Sequence, residues 1–222
     1  EQVRSHLPGE AADIPVVIGE LTDQLIMESD LCIISPGVPT DIEPVRRIRD
    51  AGIEIWGEVE LACHCSRGQV LAITGTNGKT TSVTLLGELM KKMYGEDVFV
   101  VGNIGFPYTE AALQTDDQSV CVAEVSSFQL ETIKSFHPHV AAITNITPDH
   151  LNRHHTMEEY IRVKEQIILN QTKQDVIVLN YEDEILRSFG ERIEQEQDAP
   201  NVFWFSSLRT LKKGMYADGN VL

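Results

Sequence analysis

Residues 70–81 read Val-Leu-Ala-Ile-Thr-Gly-Thr-Asn-Gly-Lys-Thr-Thr and give the strongest indication of the fold. The opening residues are aliphatic or β-branched, which is typical of a buried strand, and the apolar spacing from Ser82 to Tyr94 predicts a helix. Between them, Gly75 and Gly78 permit a tight turn whose N–H groups can converge on one anion. A strand, a glycine-containing loop, a Lys-Thr pair and a helix are together typical of a phosphate-binding loop.

The polar residues of this loop are candidates for phosphate binding. Lys79 is placed to reach terminal phosphates, and the hydroxyl of Thr80 to hold a magnesium ion. The usual motif begins with a glycine where this chain has Ile73. A turn with an incidental lysine is the alternative, but the flanking strand and helix favour the loop. The expected nucleotide-binding residues are Gly75, Thr76, Asn77, Gly78, Lys79, Thr80 and Thr81.

The composition is that of a globular protein. Hydrophobic residues make up 42% of the 222 residues, and no apolar run approaches the length of a membrane span. The formal net charge of −16 argues against nonspecific binding to nucleic acid or to an anionic membrane surface. A phosphorylated small molecule stays compatible with this charge, because a local loop would hold it.

The four cysteines favour a reduced, cytoplasmic protein. Cys32 and Cys121 lie in apolar runs, which predicts that both are core residues. The run Cys63-His64-Cys65 could suggest a metal site, but no second ligand pair follows at zinc spacing.

The N-terminal part of the chain is interpreted as a partial α/β unit. Strands are predicted at Ile14–Ile18 and Leu31–Ile34, and a helix at Glu43–Asp50. The turn Ser35-Pro-Gly-Val-Pro39 follows the second strand, where α/β sheets bind ligands, but a plain turn explains it equally well. The polar stretch Cys63–Gln69 is predicted to link two domains.

After the glycine loop, apolar segments alternate with helical ones. The predicted strands are 98–101, 120–125, 140–146, 175–180 and 202–205. This alternation indicates an α/β fold with a mostly parallel sheet and helices on both of its faces.

Two candidate side chains lie near or beyond the carboxyl ends of predicted strands. Glu124 lies near the end of an apolar strand, where a carboxylate is costly unless it is paired or binds a cation. Magnesium is favoured over a lysine or backbone partner, since a phosphate loop needs an acidic partner for its ion. His150 is interpreted as either a structural hydrogen-bonding residue or a ligand, whereas His154 and His155 are expected to be solvated.

A third candidate, Lys164, lies on an apolar helical stripe. The run Thr156-Met-Glu-Glu159 predicts a capping box at the start of this helix. The lysine could extend along the apolar face towards solvent, or it could be a functional amine held in a site. Periodicity leaves both alternatives open.

Four motifs occur together in the order Gly75-Thr-Asn-Gly-Lys-Thr-Thr81, Glu124-Val-Ser-Ser-Phe-Gln-Leu-Glu131, Asn145-Ile-Thr-Pro-Asp-His150 and Tyr160-Ile-Arg-Val-Lys164. In these motifs, in Ser35–Pro39 and in Gly102-Asn-Ile-Gly105, the chain resembles the Mur ligases of peptidoglycan synthesis. The resemblance covers nearly the whole chain. The Ser-Ser-Phe-Gln-Leu run is most similar to the branch that adds D-glutamate to UDP-N-acetylmuramoyl-L-alanine.

The resemblance implies three domains: a Rossmann-like domain that binds the UDP group, a central phosphate-loop ATPase domain, and a third domain that presents the amino acid. This chain is then expected to hold part of the first domain at 1–66 and the central domain, incomplete at its C-terminal end, at 67–222. The third domain is expected to be absent, so that the chain alone binds nucleotide without turnover. A monomer is the expected state.

The resemblance also implies the reaction and the site residues. ATP would phosphorylate the substrate carboxylate, and the amine of D-glutamate would displace phosphate. The implied cofactors are ATP and Mg²⁺, with Lys164 carbamylated. The implied catalytic residues are Lys79, Glu124, His150 and Lys164, and the implied metal ligands are Thr80, Glu124, His150 and Lys164. The implied substrate-binding residues are Ser35, Pro36, Gly37, Asn103, Ser126, Gln129 and His150.

Other assignments share part of this pattern. A sister Mur ligase or a folylpolyglutamate synthetase would keep the ATP chemistry and change the acceptor. A switch GTPase is disfavoured, because the chain has no Asn-Lys-x-Asp motif. The chain departs from the family at Asn152, where Asp is usual, and this weakens the assignment of a second metal ion at His150.

Overall fold

Helices and strands alternate along residues 14–217, the part of the chain that the computed structural model describes. The described part leaves out residues 1–13 of the first predicted domain and residues 218–222 of the second. The α-helices are α1 (Asp23–Met27), α2 (Glu43–Asp50), α3 (Glu58–Cys65), α4 (Lys79–Tyr94), α5 (Tyr108–Ala112), α6 (Ser127–Leu130), α7 (Leu151–His154), α8 (Met157–Glu165) and α9 (Glu184–Ile193). The strands are β1 (Leu31–Ile34), β2 (Glu54–Gly57), β3 (Gln69–Thr74), β4 (Val98–Gly102), β5 (Val120–Glu124), β6 (Val140–Ile143), β7 (Val176–Asn180), β8 (Asn201–Ser206) and β9 (Met215–Tyr216).

The large sheet has seven strands in the order β4-β5-β3-β6-β7-β8-β9. All of its pairings among the described residues are parallel. The α/β class and the mostly parallel sheet are therefore confirmed. From β3 the chain continues to β4 and β5 on one side and then to β6 on the other. The carboxyl end of β3 is thus a topological switch point, the position at which open α/β sheets bind ligands.

The sheet separates two apolar clusters, because alternate residues of a strand point to opposite faces. Val70 and Ala72 of β3 belong to the larger cluster, while Ile73 packs in the smaller one with Val83 of α4. All of β5 is buried, which explains why its sequence is almost uniformly apolar. Its last residue, Glu124, is also buried and is the one charged residue of the strand.

Contacts divide the chain into two compact units. The first holds the chain up to Cys32 together with Thr40–Glu54, and the second holds Ile33–Pro39 and the chain from Ile55 onward. Within the second unit, α3 packs against α5 and α6. The limits 1–66 and 67–222 stay a prediction.

The prediction of a strand at Ile14–Ile18 is wrong, since these residues form no strand in the described structure. Their side chains are mostly exposed, with Ile18 86% exposed. An apolar run forms a strand only when a neighbouring strand pairs with it and a core covers one of its faces.

The prediction of a linker at Cys63–Gln69 is also wrong for most of these residues. Residues Cys63–Cys65 complete α3, and Gln69 begins β3. Cys63 packs against the main core, so tertiary contact favours the helix where the sequence shows no periodicity. Of the two cysteines predicted as core residues, Cys121 is buried and Cys32 is half-buried.

Helix α4 begins at Lys79, which is earlier than the predicted start at Ser82. It packs on β3, β4 and β5, and its buried residues are Val83 and Gly87. Gly87 is needed there because a Cβ at this position would overlap the side chain of Val100. Neither α4 nor any other helix in residues 14–217 combines the length and the apolar character needed to cross a membrane.

A buried carboxylate fastens α3 to the turn that follows α6. Glu60 is 0% exposed. Its Oε2 accepts hydrogen bonds from the N–H groups of Lys134 (2.8 Å) and Phe136 (3.1 Å), and its Oε1 accepts one from the Ser135 N–H (2.8 Å). His64 Nε2 lies 3.1 Å from Oε1. Three consecutive backbone donors of the turn therefore depend on one side chain.

Replacing Glu60 with alanine is expected to lower the free energy of unfolding by about 1 to 3 kcal/mol, because three backbone N–H groups, of which that of Phe136 is buried, lose their acceptor. Urea-induced unfolding followed by circular dichroism measures the change. The control is Glu58→Ala, an exposed residue of the same helix turn, for which a change below about 0.5 kcal/mol is expected. Equal unfolding midpoints for the two variants would show that other contacts hold the turn.

Candidate active site at the carboxyl end of the sheet

The loop after β3 adopts a conformation that its two glycines make possible. Gly75 has a φ of 143° and Gly78 a φ of 82°, both in the region that favours glycine. A Cβ on Gly75 would overlap the hydroxyl of Thr144, which approaches the loop from the end of β6. Any side chain at position 75 would therefore displace the loop from the sheet.

Helix α4 starts directly after this loop. Gly78 occupies its N-cap position in a left-handed conformation and supplies no side-chain cap. The first N–H groups of a helix have no carbonyl one turn earlier within the helix, and the positive end of the helix dipole adds to them. The start of α4 thus provides the donors and the field that bind a phosphate.

Lys79, the first residue of α4, folds back over the loop. Its Nζ donates hydrogen bonds to the carbonyls of Gly75 (3.0 Å) and Thr76 (2.9 Å). The ammonium group is consequently held against the backbone of the loop by two of its carbonyls.

Glu124 ends β5 beside this loop and is 1% exposed. Its Oε2 accepts a hydrogen bond from Thr80 Oγ1 (2.9 Å), and its Oε1 accepts one from Asn103 Nδ2 (2.8 Å). Both partners are uncharged, and Glu124 forms no ion pair within the described part of the chain. The buried negative charge is hydrogen-bonded but not neutralised.

These groups fit a magnesium ion, which prefers oxygen ligands and retains several waters or phosphate oxygens. Thr80 and Glu124 supply a hydroxyl and a carboxylate at adjoining positions. Residues 14–217 contain no group of three His, Cys, Asp or Glu side chains that could hold a metal ion. An ion at Glu124 would therefore need most of its ligands from phosphate and water.

Lys164 of α8 points into the protein and is 1% exposed, so the alternative that it extends to solvent is wrong. Its Nζ donates hydrogen bonds to the Gly75 carbonyl (2.8 Å) and the Thr74 hydroxyl (3.4 Å), and lies 4.8 Å from the ring centroid of Tyr160. Burial, followed by the charge of Lys79, lowers the pKa of Lys164 to about 7. Lys164 therefore reaches the first residues of the glycine loop, and its uncharged amine is accessible near neutral pH.

His150 lies at the start of α7 with a left-handed φ of 52°. Its ring packs on Phe128 at 5.0 Å between centroids, and Nε2 is 3.5 Å from a carboxylate oxygen of Asp149. Among the described residues it makes no hydrogen bond to Lys164 or Glu124. The structure therefore does not join His150 to these two side chains.

Ser126 and Gln129 form a reciprocal capping box at the start of α6. The Ser126 hydroxyl accepts from the Gln129 N–H, and the Gln129 side chain accepts from the Ser126 N–H. Gln129 is 4% exposed. Both polar side chains are engaged in holding the segment that follows Glu124. By contrast, the predicted box at Thr156 is confirmed only for its first half, the bond from the Glu159 N–H to the Thr156 hydroxyl.

A cluster around α7 was not found by sequence reasoning. Arg153 donates to both carboxylate oxygens of Glu131 (3.0 and 2.7 Å) and to the carbonyl of Val38 (3.0 Å). The Val38 N–H in turn donates to Ser35 O (2.9 Å), closing the predicted substrate turn. Arg153 therefore links this turn to the segment that carries His150. An arginine three residues after a histidine gives no sequence signal for such a contact.

The expectation that His154 is solvated is wrong, whereas His155 is exposed as predicted. His154 is 3% exposed, and its Nε2 lies 3.0 Å from Ser127 Oγ. Burial lowers the pKa of His154, although the charge of Glu131 opposes this shift. The histidine is a packed, hydrogen-bonded residue beneath the site.

A family model described as the Mur ligase middle domain matches residues 73–217, which include the glycine loop, Glu124, His150 and Lys164. The chain belongs to the Mur ligase family. The family recognised from its motifs is thereby confirmed.

Curated Mur ligases are similar over nearly the whole chain. The UDP-N-acetylmuramoylalanine–D-glutamate ligase of Lachnoclostridium phytofermentans is 54% identical over 205 residues, covering 92% of this chain and 44% of the relative. The enzyme of the same name from Lachnospira eligens is 50% identical over 222 residues, covering 100% of this chain and 48% of the relative. The chain thus spans about half the length of the curated relatives it matches.

Solved Mur ligase structures share the fold. A UDP-N-acetylmuramoyl-L-alanyl-D-glutamate–2,6-diaminopimelate ligase superposes with a TM-score of 0.57 at 19% identity, covering 87% of this chain and 49% of that chain. A MurF ligase from Thermotoga maritima in complex with ADP superposes with a TM-score of 0.53 at 19% identity, covering 83% of this chain and 49% of that chain.

Proposed function

We propose that this chain is the nucleotide-handling part of an ATP-dependent ligase that adds D-glutamate to UDP-N-acetylmuramoyl-L-alanine in peptidoglycan precursor synthesis. The main support for the proposal is that three functional groups lie close together at the carboxyl end of β3. The loop lysine Lys79, the Thr80–Glu124 pair and the buried amine of Lys164 all contact residues 74–80. The acceptor is inferred from the names of relatives that are 50% and 54% identical.

The proposed reaction has two steps. A carboxylate oxygen of the substrate attacks the γ-phosphorus of ATP, the bond to the β-phosphate oxygen breaks, and ADP leaves. The amine of D-glutamate then attacks the acyl carbon, the bond to the phosphate oxygen breaks, and inorganic phosphate and a proton are released. Positioning and charge neutralisation account for most of the catalysis of such transfers.

Each proposed role follows from what the side chain contacts. Lys79 and the N–H groups of α4 would bind the terminal phosphates, because the ammonium group contacts the loop and the helix begins directly after it. Thr80 and Glu124 would hold a magnesium ion, which neutralises phosphate charge when bound. The remaining residues of the loop, 75–81, would enclose the nucleotide.

Lys164 is proposed to be carbamylated. Its buried Nζ has two neutral acceptors and no ion pair among the described residues. An uncharged amine can attack CO₂ to form a carbamate and release a proton, and the lowered pKa of Lys164 supports this. The resulting anionic oxygens would suit a second magnesium ion together with His150.

The muramoyl-alanine end of the substrate is proposed to contact Asn103, Ser126, Gln129 and His150. Asn103 also holds Glu124, which would couple substrate contact to the magnesium ligand. The turn containing Ser35, Pro36 and Gly37 is proposed to contact the uridine diphosphate, with Arg153 fixing its last part through Val38.

The complete enzyme is proposed to act as a cytoplasmic monomer, without nucleic acid or membrane partners. The chain by itself is proposed to bind nucleotide without turnover, because its relatives are about twice its length. A sister ligase with another acceptor is the alternative, and solved relatives with other acceptors share the fold.

Phosphate release from ATP tests the proposal in a full-length protein carrying this chain. UDP-N-acetylmuramoyl-L-alanine is present throughout, and D-glutamate, L-lysine or meso-diaminopimelate is added separately. Release only with D-glutamate is the expected result. Release with another amino acid would transfer the protein to a sister branch, and no release with this nucleotide would leave the acceptor assignment without support.

A further inference from the structure

The backbone contacts between β3 and β6 continue beyond the strands themselves. Their parallel register ends at Thr74 and Ile143. The Thr144 N–H then donates to Thr74 O (3.1 Å), and the Thr76 N–H donates to Asn145 O (2.9 Å). The first half of the glycine loop therefore runs along residues 144–147 as a short extension of the sheet.

At Asn77 a side chain replaces the backbone as the partner. Asn145 Oδ1 accepts from the Asn77 N–H (2.9 Å), and Asn145 Nδ2 donates to the Asn77 carbonyl (3.0 Å). A side-chain amide offers one acceptor and two donors, so it satisfies both backbone groups as a neighbouring strand would. The Thr144 hydroxyl adds a second bond to the Asn77 carbonyl (2.7 Å).

The segment that carries Asn145 is itself held from its other side. The Ile146 N–H donates to Asp183 Oδ2 (2.7 Å). Asp183 Oδ1 caps α9 by accepting from the N–H groups of Ile185 and Leu186 (3.0 and 3.1 Å). The Asn145 side chain thus extends from a backbone that α9 and the sheet keep in place.

These bonds divide the loop into two parts. The N–H groups of Thr76 and Asn77 are already bonded to Asn145, whereas those at the start of α4 lack a carbonyl one turn earlier in the helix. The direction in which these later N–H groups point depends on the peptide planes just before them.

We propose that Asn145 is a positioning residue of the nucleotide site, whose side chain fixes both peptide groups of Asn77 and thereby aims the N–H groups of the following turn at the phosphates. This inference rests on the proposed function, since it presupposes that the loop binds ATP. It adds Asn145 to the residues 75–81 that the sequence predicts to bind the nucleotide.

The test compares Asn145→Ala with Asn170→Ala in a full-length protein carrying this chain. Asn170 is a matched control, because its side chain also makes two hydrogen bonds to backbone, to Lys134 O (2.8 Å) and Phe136 O (3.0 Å), and neither involves the loop. Asn145→Ala is expected to raise the KM for ATP about tenfold while changing kcat and the KM for the amino acid less than about threefold. Asn170→Ala is expected to leave the KM for ATP within about twofold.

Hydrogen exchange of residues 75–80, measured by mass spectrometry on the proteins without nucleotide, gives a readout that does not depend on activity. Faster exchange in Asn145→Ala but not in Asn170→Ala, together with the raised KM, confirms the proposal. Unchanged exchange or an unchanged KM overturns it. Absence of ATP-dependent phosphate release in the wild type overturns the proposed function instead, and the exchange comparison still decides whether Asn145 holds the loop.

Discussion

Replacing Lys79 with alanine is expected to lower ATP-dependent phosphate release at least about 1000-fold in a full-length protein carrying this chain. The Lys79 ammonium group is held over the loop by the carbonyls of Gly75 and Thr76, at 3.0 and 2.9 Å. A transferring phosphoryl group carries negative charge on its outer oxygens, and a cation already in place stabilises it without reorganisation. Release of phosphate at saturating ATP measures the effect.

Lys92 provides the control, because it is an exposed lysine on the same helix. Lys92→Ala is expected to keep the wild-type rate within about twofold. Undiminished turnover in Lys79→Ala would remove the assignment of residues 75–81 as the phosphate-binding loop.

Replacing Lys164 with alanine is expected to lower the same activity by about 1000-fold, and short carboxylic acids added to the assay are expected to restore part of it. The reason is geometric. Lys164 is 1% exposed and reaches the Gly75 carbonyl, so its removal leaves a space next to the loop. A small carboxylate that enters this space would supply the anionic oxygens proposed for the carbamate.

A methionine at position 164 separates a chemical role from a packing role. Methionine retains most of the buried volume of lysine without its amine. Lys164→Met is expected to fold normally and to stay inactive, with less rescue by carboxylic acids than the alanine variant because the space is filled. A fully active methionine or alanine variant would make Lys164 a structural residue.

The parts of the site that could be predicted are those that local sequence dictates. The glycine loop follows from the strand, the two glycines and the helix, because a tight turn needs a particular backbone conformation at particular positions. The location of Glu124 could be predicted for a similar reason, since a carboxylate in an apolar strand is an exception that needs a partner. Its partners Thr80 and Asn103 could not be predicted, because they follow β3 and β4, and only the order of strands in the sheet shows that these flank β5.

The failures arise where distant contacts decide the outcome. Ile14–Ile18 has the composition of a strand but pairs with no strand of the described structure. The non-periodic residues Cys63–Cys65 are helical because they pack on the core. His154 is buried by α6 and α8, which the sequence does not place beside it. The role of Lys164 could not be resolved from periodicity, and only its burial excludes a path to solvent.

The strand order of the large sheet also constrains the order in which the strands can pair while the chain is being synthesised. Among the described strands β4 pairs with β5 alone, so it must wait for β5, which inserts between β4 and β3. After that, β6, β7, β8 and β9 join one edge in the order of their synthesis. Each new strand then pairs with a strand that is already in the sheet, although most of these pairings first need a long crossover to close, the exception being the short connection 207–214 between β8 and β9. We therefore expect a slow early stage, with the β3–β5 nucleus assembling first, and a C-terminal half that grows by successive addition.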